Sequence, residues 1–170
     1  VDSNNGQIVG CEALLRWNHP QLGIIPPDQF IPVAEETGMI RKIGHWVIEQ
    51  VLHQAQVWYE LGYTELCVSF NLSPLQLKPI TIEAFLELFK ENDSSRRCAI
   101  EMEITESVLM EYTDTIEQMF SQLRSSEISI AIDDFGTGCS ALSSLKRIPV
   151  DTIKIDRSFI NNINDSGDDI

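Results

Sequence analysis

The sequence predicts a parallel α/β fold, and three observations carry that reading. From residue 67 onward, short apolar segments alternate regularly with amphipathic helical ones. Within the short segments, acids, an amide or a lysine occupy alternate positions, so each strand has one polar and one aliphatic face. The polar groups also recur at a steady interval: 32 positions separate Asn71 from Glu103 and 30 separate Glu103 from Asp133, about one βα unit each. Functional groups at successive strand ends favour a barrel, whose C-terminal strand face carries the site, although an open sheet also uses its strand ends.

In chain order, Asp2 to Gly6 reads as a turn into a strand over Gln7 to Arg16, in which Glu12, Leu14 and Arg16 alternate with Cys11, Ala13 and Leu15. Trp17 to Pro20 and Gly23 to Pro27 form a proline-interrupted loop. Asp28 to Glu36 is a short helix that tolerates Pro32 in its first turn. A longer helix is expected over Ile40 to Leu61, with Ile43, Trp46, Val47, Val51, Ala55 and Trp58 packed on the core and Gly62 as its stop. Strand Cys67 to Asn71 then leads to helix Ile82 to Glu91, and strand Ala99 to Ile104 leads to helix Asp114 to Ser125, capped by Thr113. Strand Ile128 to Asp133 runs through a glycine loop to a short helix near Ala141 to Arg147. Asp151 to Asp156 is the next strand, and Asn164 to Asp169 read as loop. Six strands at most are visible, whereas a closed (β/α)8 barrel needs eight and about 250 residues. The barrel is therefore incomplete, or the sheet is open.

Composition narrows the function. A chain of 170 residues with 43% hydrophobic content supports one globular core. A formal charge of −14 argues against a DNA or RNA polymer as partner, because phosphate neutralisation needs clustered Lys and Arg. Cys11, Cys67, Cys98 and Cys139 show no CxxC spacing, and no signal-like stretch or apolar run of about 18 residues appears, which fits a reduced, cytosolic compartment. His19, His45 and His53 lack zinc-motif spacing and read as surface or helix residues. Gly136 to Ala141 formally matches G-x-G-x-x-A, and Asp156 lies 20 positions after Gly136. Asp133 and Asp134 would repel a pyrophosphate there, which disfavours dinucleotide binding.

A metal reading is stronger. Asp133 and Asp134 end a buried strand side by side, where like charges raise each other's pKa unless a cation holds them. Glu12, Asn71, Glu103, Asp133 and Asp134 offer only oxygen, which suits Mg²⁺ or Mn²⁺ rather than structural zinc. Lys154, on the next strand, either pairs with a carboxylate or positions the attacking water. Two divalent ions bridged by an aspartate can activate water and stabilise the leaving oxygen in phosphodiester cleavage.

Glu12-Ala13-Leu14-Leu15-Arg16-Trp17, Asn71-Leu72-Ser73, Glu103-Ile104-Thr105-Glu106, Asp133-Asp134-Phe135-Gly136-Thr137-Gly138 and Ile153-Lys154-Ile155-Asp156 resemble, in order and spacing, the motifs of the EAL domain family. Phe30-Ile31-Pro32 and Ala34-Glu35-Glu36-Thr37-Gly38 extend the resemblance. It implies a modified (β/α)8 TIM-like barrel with an antiparallel first strand, in which two Mg²⁺ or Mn²⁺ ions serve hydrolysis of cyclic di-GMP to linear pGpG. By the same resemblance, Glu12, Asn71, Glu103 and Asp133 ligate the first metal, Asp133 bridges, and Asp134 serves the second. Lys154 positions the water, and Arg16, Leu14 and Asp156 contact substrate. Glu106 anchors the loop from Asp134 to Gly138, which in the family links the metal site to dimerisation.

Two departures are expected to matter. Cys139 stands where the family usually has an aromatic residue. The family's opening helix, first strand and last strands, with a further metal-binding glutamate and a late glutamine, have no counterpart in the chain. Residues 1–170 are thus expected to be a partial EAL domain of a larger signalling protein, cytoplasmic or the cytoplasmic part of a membrane-anchored one, and poorly active alone. Fused sensory or GGDEF domains and a homodimer through the loop after Asp134 are the expected partners. The alternative is a catalytically inactive domain acting as a cyclic di-GMP receptor or a dimerising regulatory module.

Overall fold

The computed structural model describes residues 1–91, 97–110, 113–137 and 149–161. Strand β1 (Gly10–Ala13) is followed by an antiparallel hairpin, β2 (Trp17–His19) and β3 (Gly23–Ile25), and then by helices α1 (Pro27–Glu36) and α2 (Ile40–Glu60). Next come β4 (Cys67–Asn71), a single 3₁₀ turn at Pro74–Gln76 and α3 (Pro79–Glu91). After them lie β5 (Ala99–Thr105), a four-residue α4 (Ser107–Met110), α5 (Asp114–Ser125), β6 (Ile128–Phe135), β7 (Thr152–Ile155) and α6 (Arg157–Asn161). Strands β1, β4, β5, β6 and β7 form one parallel sheet in that spatial order. Each new strand is added beside the last, as in an open half-barrel.

Alternation along the strands sets the two faces. Val68 and Phe70 on β4, Ile100, Met102 and Ile104 on β5, and Ile128, Ile130 and Ile132 on β6 are all buried. They pack in one core with Ile48, Leu52 and Ala55 of α2, Ile82, Phe85 and Phe89 of α3, and Met119, Phe120 and Leu123 of α5. Burying one such side chain contributes about 1.5–3 kcal/mol, so this layer dominates the stability. The other face carries Ser69, Glu101, Glu103, Ser129, Asp133 and Lys154. Across it Ser69 pairs with Glu101, Glu101 with Ser129, and Asn71 with Glu103. Register therefore stacks the polar groups in rows toward the C-terminal strand ends.

Several expectations need correction. Strand β1 covers Gly10–Ala13 rather than Gln7 to Arg16, so Leu14 and Arg16 lie beyond it. The proline-interrupted segment is a hairpin, closed by His19, whose Nδ1 accepts from the N–H groups of Gln21 and Leu22, both at 3.2 Å. Pro27, not Pro32, takes the favourable first position of α1, which leaves Pro32 inside the helix. In α2 the buried stripe runs through Ile40, Gly44, Ile48, Val51, Leu52 and Ala55, whereas Trp46 is 51% exposed. Ile153 and Ile155 are exposed, because β7 is the edge strand and no described helix covers its aliphatic face. Thr113 caps α5 as expected, its Oγ1 accepting from Ile116 N–H at 3.4 Å. Cys11, Cys67 and Cys98 are unpaired. Gly138, Cys139, the expected helix at Ala141 to Arg147 and the segment Asn164 to Asp169 lie outside the described residues.

Gly44 is the exception inside α2. Glycine in a helix interior is about 1 kcal/mol worse than alanine. Here the absent Cβ leaves room for a side chain from another element: a Cβ on Gly44 would sit 1.9 Å from Gln76 Nε2. Gln76 is buried and its Oε1 accepts from Ser73 N–H, so it has little freedom to retreat. Gly44→Ala is therefore expected to destabilise by about 1–2 kcal/mol in urea unfolding, since overpacking outweighs the helix gain.

Candidate metal centre and substrate site

Three carboxylates converge from strands β1, β5 and β6 of the parallel sheet. Oxygens of Glu12 (β1), Glu103 (β5) and Asp133 (β6) all lie within 4.8 Å of one another. Lys154 from β7 reaches into the group, with Nζ at 2.6 Å from Glu103, 3.5 Å from Glu12 and 3.5 Å from Asp133. Asn71 Nδ2 donates to Glu12 Oε1 at 2.6 Å. Parallel register accounts for the convergence, because β4 and β5 pair Asn71 with Glu103 and β5 and β6 pair Thr105 with Asp133.

The electrostatics are unbalanced. Glu103 is 1% exposed, and desolvation pushes its carboxyl above the ordinary range, against the opposing hydrogen bonds from Lys154 and Ser69. Desolvation works to lower Lys154, yet its hydrogen bond to Glu103 and the charges of Glu103, Asp133 and Glu12 raise it. The two shifts point different ways. Lys154 gains from the pairing, whereas Glu103, much the more deeply buried, regains from it only part of its lost hydration. Among the described residues, one ammonium among three carboxylates leaves the cluster short of positive charge. An all-oxygen donor set with that deficit fits a hard divalent cation.

The sign of the Glu103 shift gives a pH dependence. A carboxyl raised on folding supports the fold while protonated and withdraws that support as pH rises through its folded pKa. Without added metal, stability is expected to fall as pH climbs from about 4.5 through the raised Glu103 value. Urea unfolding across a pH series should show that fall for the parent and a flatter profile for Glu103→Gln.

Asp134, next to Asp133, departs from strand alternation. On a regular strand it would face away from Asp133. The pairing of β6 with β7 instead shifts between Ile132 and Phe135, and Asp134 has φ +52°, a one-residue bulge in the left-handed region. Its carboxyl is raised by desolvation and by the charges of Asp133 and Asp156. Asp156 accepts from both the N–H and the hydroxyl of Ser158, which hold its carboxyl below the usual range. The chain then turns at Gly136, where φ is +102° and an added Cβ would meet the Phe159 ring at 2.5 Å, so a side chain is excluded. Glu106 Oε2 accepts from Gly136 N–H at 2.9 Å. Asparagine tolerates the left-handed region well, so Asp134→Asn is expected to keep the parent's stability. Asp134→Val should lose about 1–2 kcal/mol in the same unfolding measurement.

The structure does not bring every sequence-derived residue to the cluster. Leu14 is exposed, and Arg16 donates to the neighbouring Leu15 carbonyl at 2.8 Å. Arg16 instead lines an apolar cleft of about 660 Å³ with Trp17, Ile25, Phe30, Val33 and Trp46. Three features escaped the sequence reading: the bulge, the Thr152 hydroxyl bond to Glu101 at 2.6 Å, and the Ser73 hydroxyl bond to Glu35 at 2.6 Å. The paired acids ahead of Gly136 were a signal for the bulge, whereas no local spacing links Glu35 to Ser73.

The profile of the EAL domain matches residues 1–170. The chain belongs to the EAL domain family. Among relatives of this EAL chain, the bifunctional diguanylate cyclase/cyclic di-GMP phosphodiesterase MucR of Pseudomonas aeruginosa is 41% identical over 165 residues, 97% of this chain and 24% of MucR. The cyclic di-GMP phosphodiesterase PdeR of Escherichia coli is 41% identical over 161 residues, 93% of this chain and 24% of PdeR. The chain thus spans about a quarter of either relative. Among solved structures, the PaMucR phosphodiesterase–c-di-GMP complex superposes with a TM-score of 0.86 at 40% identity, covering 97% of this chain and 67% of that one. The FimX EAL domain from Pseudomonas aeruginosa bound to c-di-GMP gives 0.77 at 27% identity, over 94% of this chain and 64% of that one. The five-stranded sheet is accordingly a partial EAL barrel. No helix among the described residues is long and apolar enough to cross a membrane.

Proposed function

We propose that this EAL segment is part of a metal-dependent phosphodiesterase that hydrolyses cyclic di-GMP to linear pGpG. The observation that carries the reading is the convergence of Glu12, Glu103 and Asp133 around the single ammonium of Lys154. Glu12, Asn71, Glu103 and Asp133 would hold one Mg²⁺ or Mn²⁺, and Asp134 beside Asp133 would serve a second. Divalent ions in such a site activate water for attack and stabilise the charge on the leaving oxygen. The reaction adds one water across one P–O bond of the cyclic nucleotide, and the proton ends on the freed ribose oxygen.

The residues of the chain have separable tasks in this reading. Lys154, held by Glu103, presents ammonium donors that orient the attacking water. The exposed Arg16 can take a phosphate through its planar donor fork, and Leu14 and Asp156 would contact the same substrate. Glu106 ties the Gly136 turn to β5, which keeps the two adjacent aspartates in place. We assign the loop after Asp134 to a homodimer contact, and sensory or GGDEF domains to the remainder of a longer cytoplasmic or membrane-anchored protein.

The test is product analysis. The full-length protein is incubated with cyclic di-GMP in Mg²⁺, in Mn²⁺ and with chelator, and products are separated by chromatography. Linear pGpG that requires the metal supports the reading. Nucleotide bound but never cleaved would instead make the domain a receptor, and neither binding nor cleavage would leave a regulatory module.

A further inference from the structure

The segment that carries Asn71 into the metal cluster is held from behind by a side-chain relay that strand geometry does not require. Ser73 follows two residues after Asn71, and its hydroxyl donates to Glu35 Oε1 of α1 at 2.6 Å. The same hydroxyl accepts from Leu75 N–H at 3.2 Å, and Ser73 N–H donates to Gln76 Oε1 at 3.2 Å. Gln76 is buried and lies against the bare Cα of Gly44 in α2. Leu72, between Asn71 and Ser73, is fixed by its N–H to the Glu103 carbonyl at 2.8 Å. From α1 to the cluster the sequence of contacts is Glu35, Ser73, Leu72 as the one-residue link, Asn71 and Glu12.

We infer that Glu35 and Ser73 are positioning residues for the metal site, acting through Asn71. The inference rests on the proposed role of Asn71 as a ligand. Asn71 is the one neutral member of the proposed set, so charge does not draw it to a cation, and its orientation has to come from its surroundings. Its Nδ2 is fixed by Glu12, and the backbone that carries it is fixed by Ser73. Glu35 takes no part in the carboxylate cluster itself, since the group that converges there is Glu12, Glu103 and Asp133. Groups that orient a ligand from outside commonly change metal affinity by about 10–100-fold when removed.

Mn²⁺ binding to the full-length protein, read as loss of the free-ion EPR signal, tests this without relying on turnover. Variants are first melted without metal to confirm folding. Glu35→Ala and Ser73→Ala are expected to weaken Mn²⁺ binding by about 10–100-fold, approaching Asn71→Ala. Glu35→Gln, which keeps an acceptor, and Ser73→Thr, which keeps the hydroxyl, are expected to restore most of it. Parent-like Mn²⁺ affinity in Glu35→Ala and Ser73→Ala, with Asn71→Ala weakened, would overturn the inference alone. Loss of folding in both alanine variants would also overturn it, since the contact would then serve the fold. A parent that binds no Mn²⁺, or an Asn71→Ala variant that binds like the parent, would overturn the underlying metal reading instead.

Discussion

Glu12→Ala is expected to lower hydrolysis of cyclic di-GMP by about three orders of magnitude or more while leaving the fold intact. Glu12 lies on the edge strand β1, and its side chain is about one third exposed, so truncation opens no cavity in the helical core. Its loss removes one of three converging carboxylates and also the acceptor of Asn71 Nδ2. Charge stabilisation by a bound divalent ion is worth several kcal/mol of barrier, and about 1.4 kcal/mol corresponds to tenfold in rate. Single-turnover rates and a urea unfolding curve on the same preparation separate the two effects. A variant that folds and turns over like the parent would remove Glu12 from the site.

Lys154→Ala is expected to damage both stability and turnover, for different reasons. Without metal, the Glu103 carboxylate is 1% exposed and loses the ammonium 2.6 Å away. Stranding a buried charge costs about 3–5 kcal/mol, and because the Lys154 side chain is one third exposed this is discounted for solvent screening to about 2–3 kcal/mol. Mn²⁺ should narrow that gap, because it supplies positive charge to the same oxygens. Turnover is expected to stay low even with saturating Mn²⁺, by about 10²-fold or more, since the ammonium that orients the attacking water is missing. Unfolding curves with and without Mn²⁺, beside kcat, distinguish these contributions. Unchanged metal-free stability would contradict the pairing geometry.

Much of this was legible in the sequence because strand alternation and steady βα spacing are local rules. Glu103 and Asp133 were placed on the polar face by period two alone, and parallel register then brings them beside Glu12 and Lys154. Helices α3 and α5 showed their apolar stripes, and the cap at Thr113 followed from residue type. What escaped depends on contacts between distant residues or on departures from regular geometry. The bulge at Asp134 defeats alternation, so the direction of this second acid does not follow from period two. Trp46 obeys helical spacing yet lies on the cleft, because the α2 core face is centred on Ile48 and Leu52. The β2–β3 hairpin was hidden by its flanking prolines, and the link from Glu35 to Ser73 spans 38 positions.

The most direct test of the central claim couples metal occupancy to chemistry in one sample. Mn²⁺ is titrated into the metal-stripped full-length protein with cyclic di-GMP present, while free Mn²⁺ is read by EPR and pGpG by chromatography. The prediction is that product formation rises with bound Mn²⁺ and that Glu103→Gln loses both together. Hydrolysis that proceeds before any Mn²⁺ is bound, or that Glu103→Gln leaves unchanged, would contradict the assignment of this cluster as the catalytic metal centre.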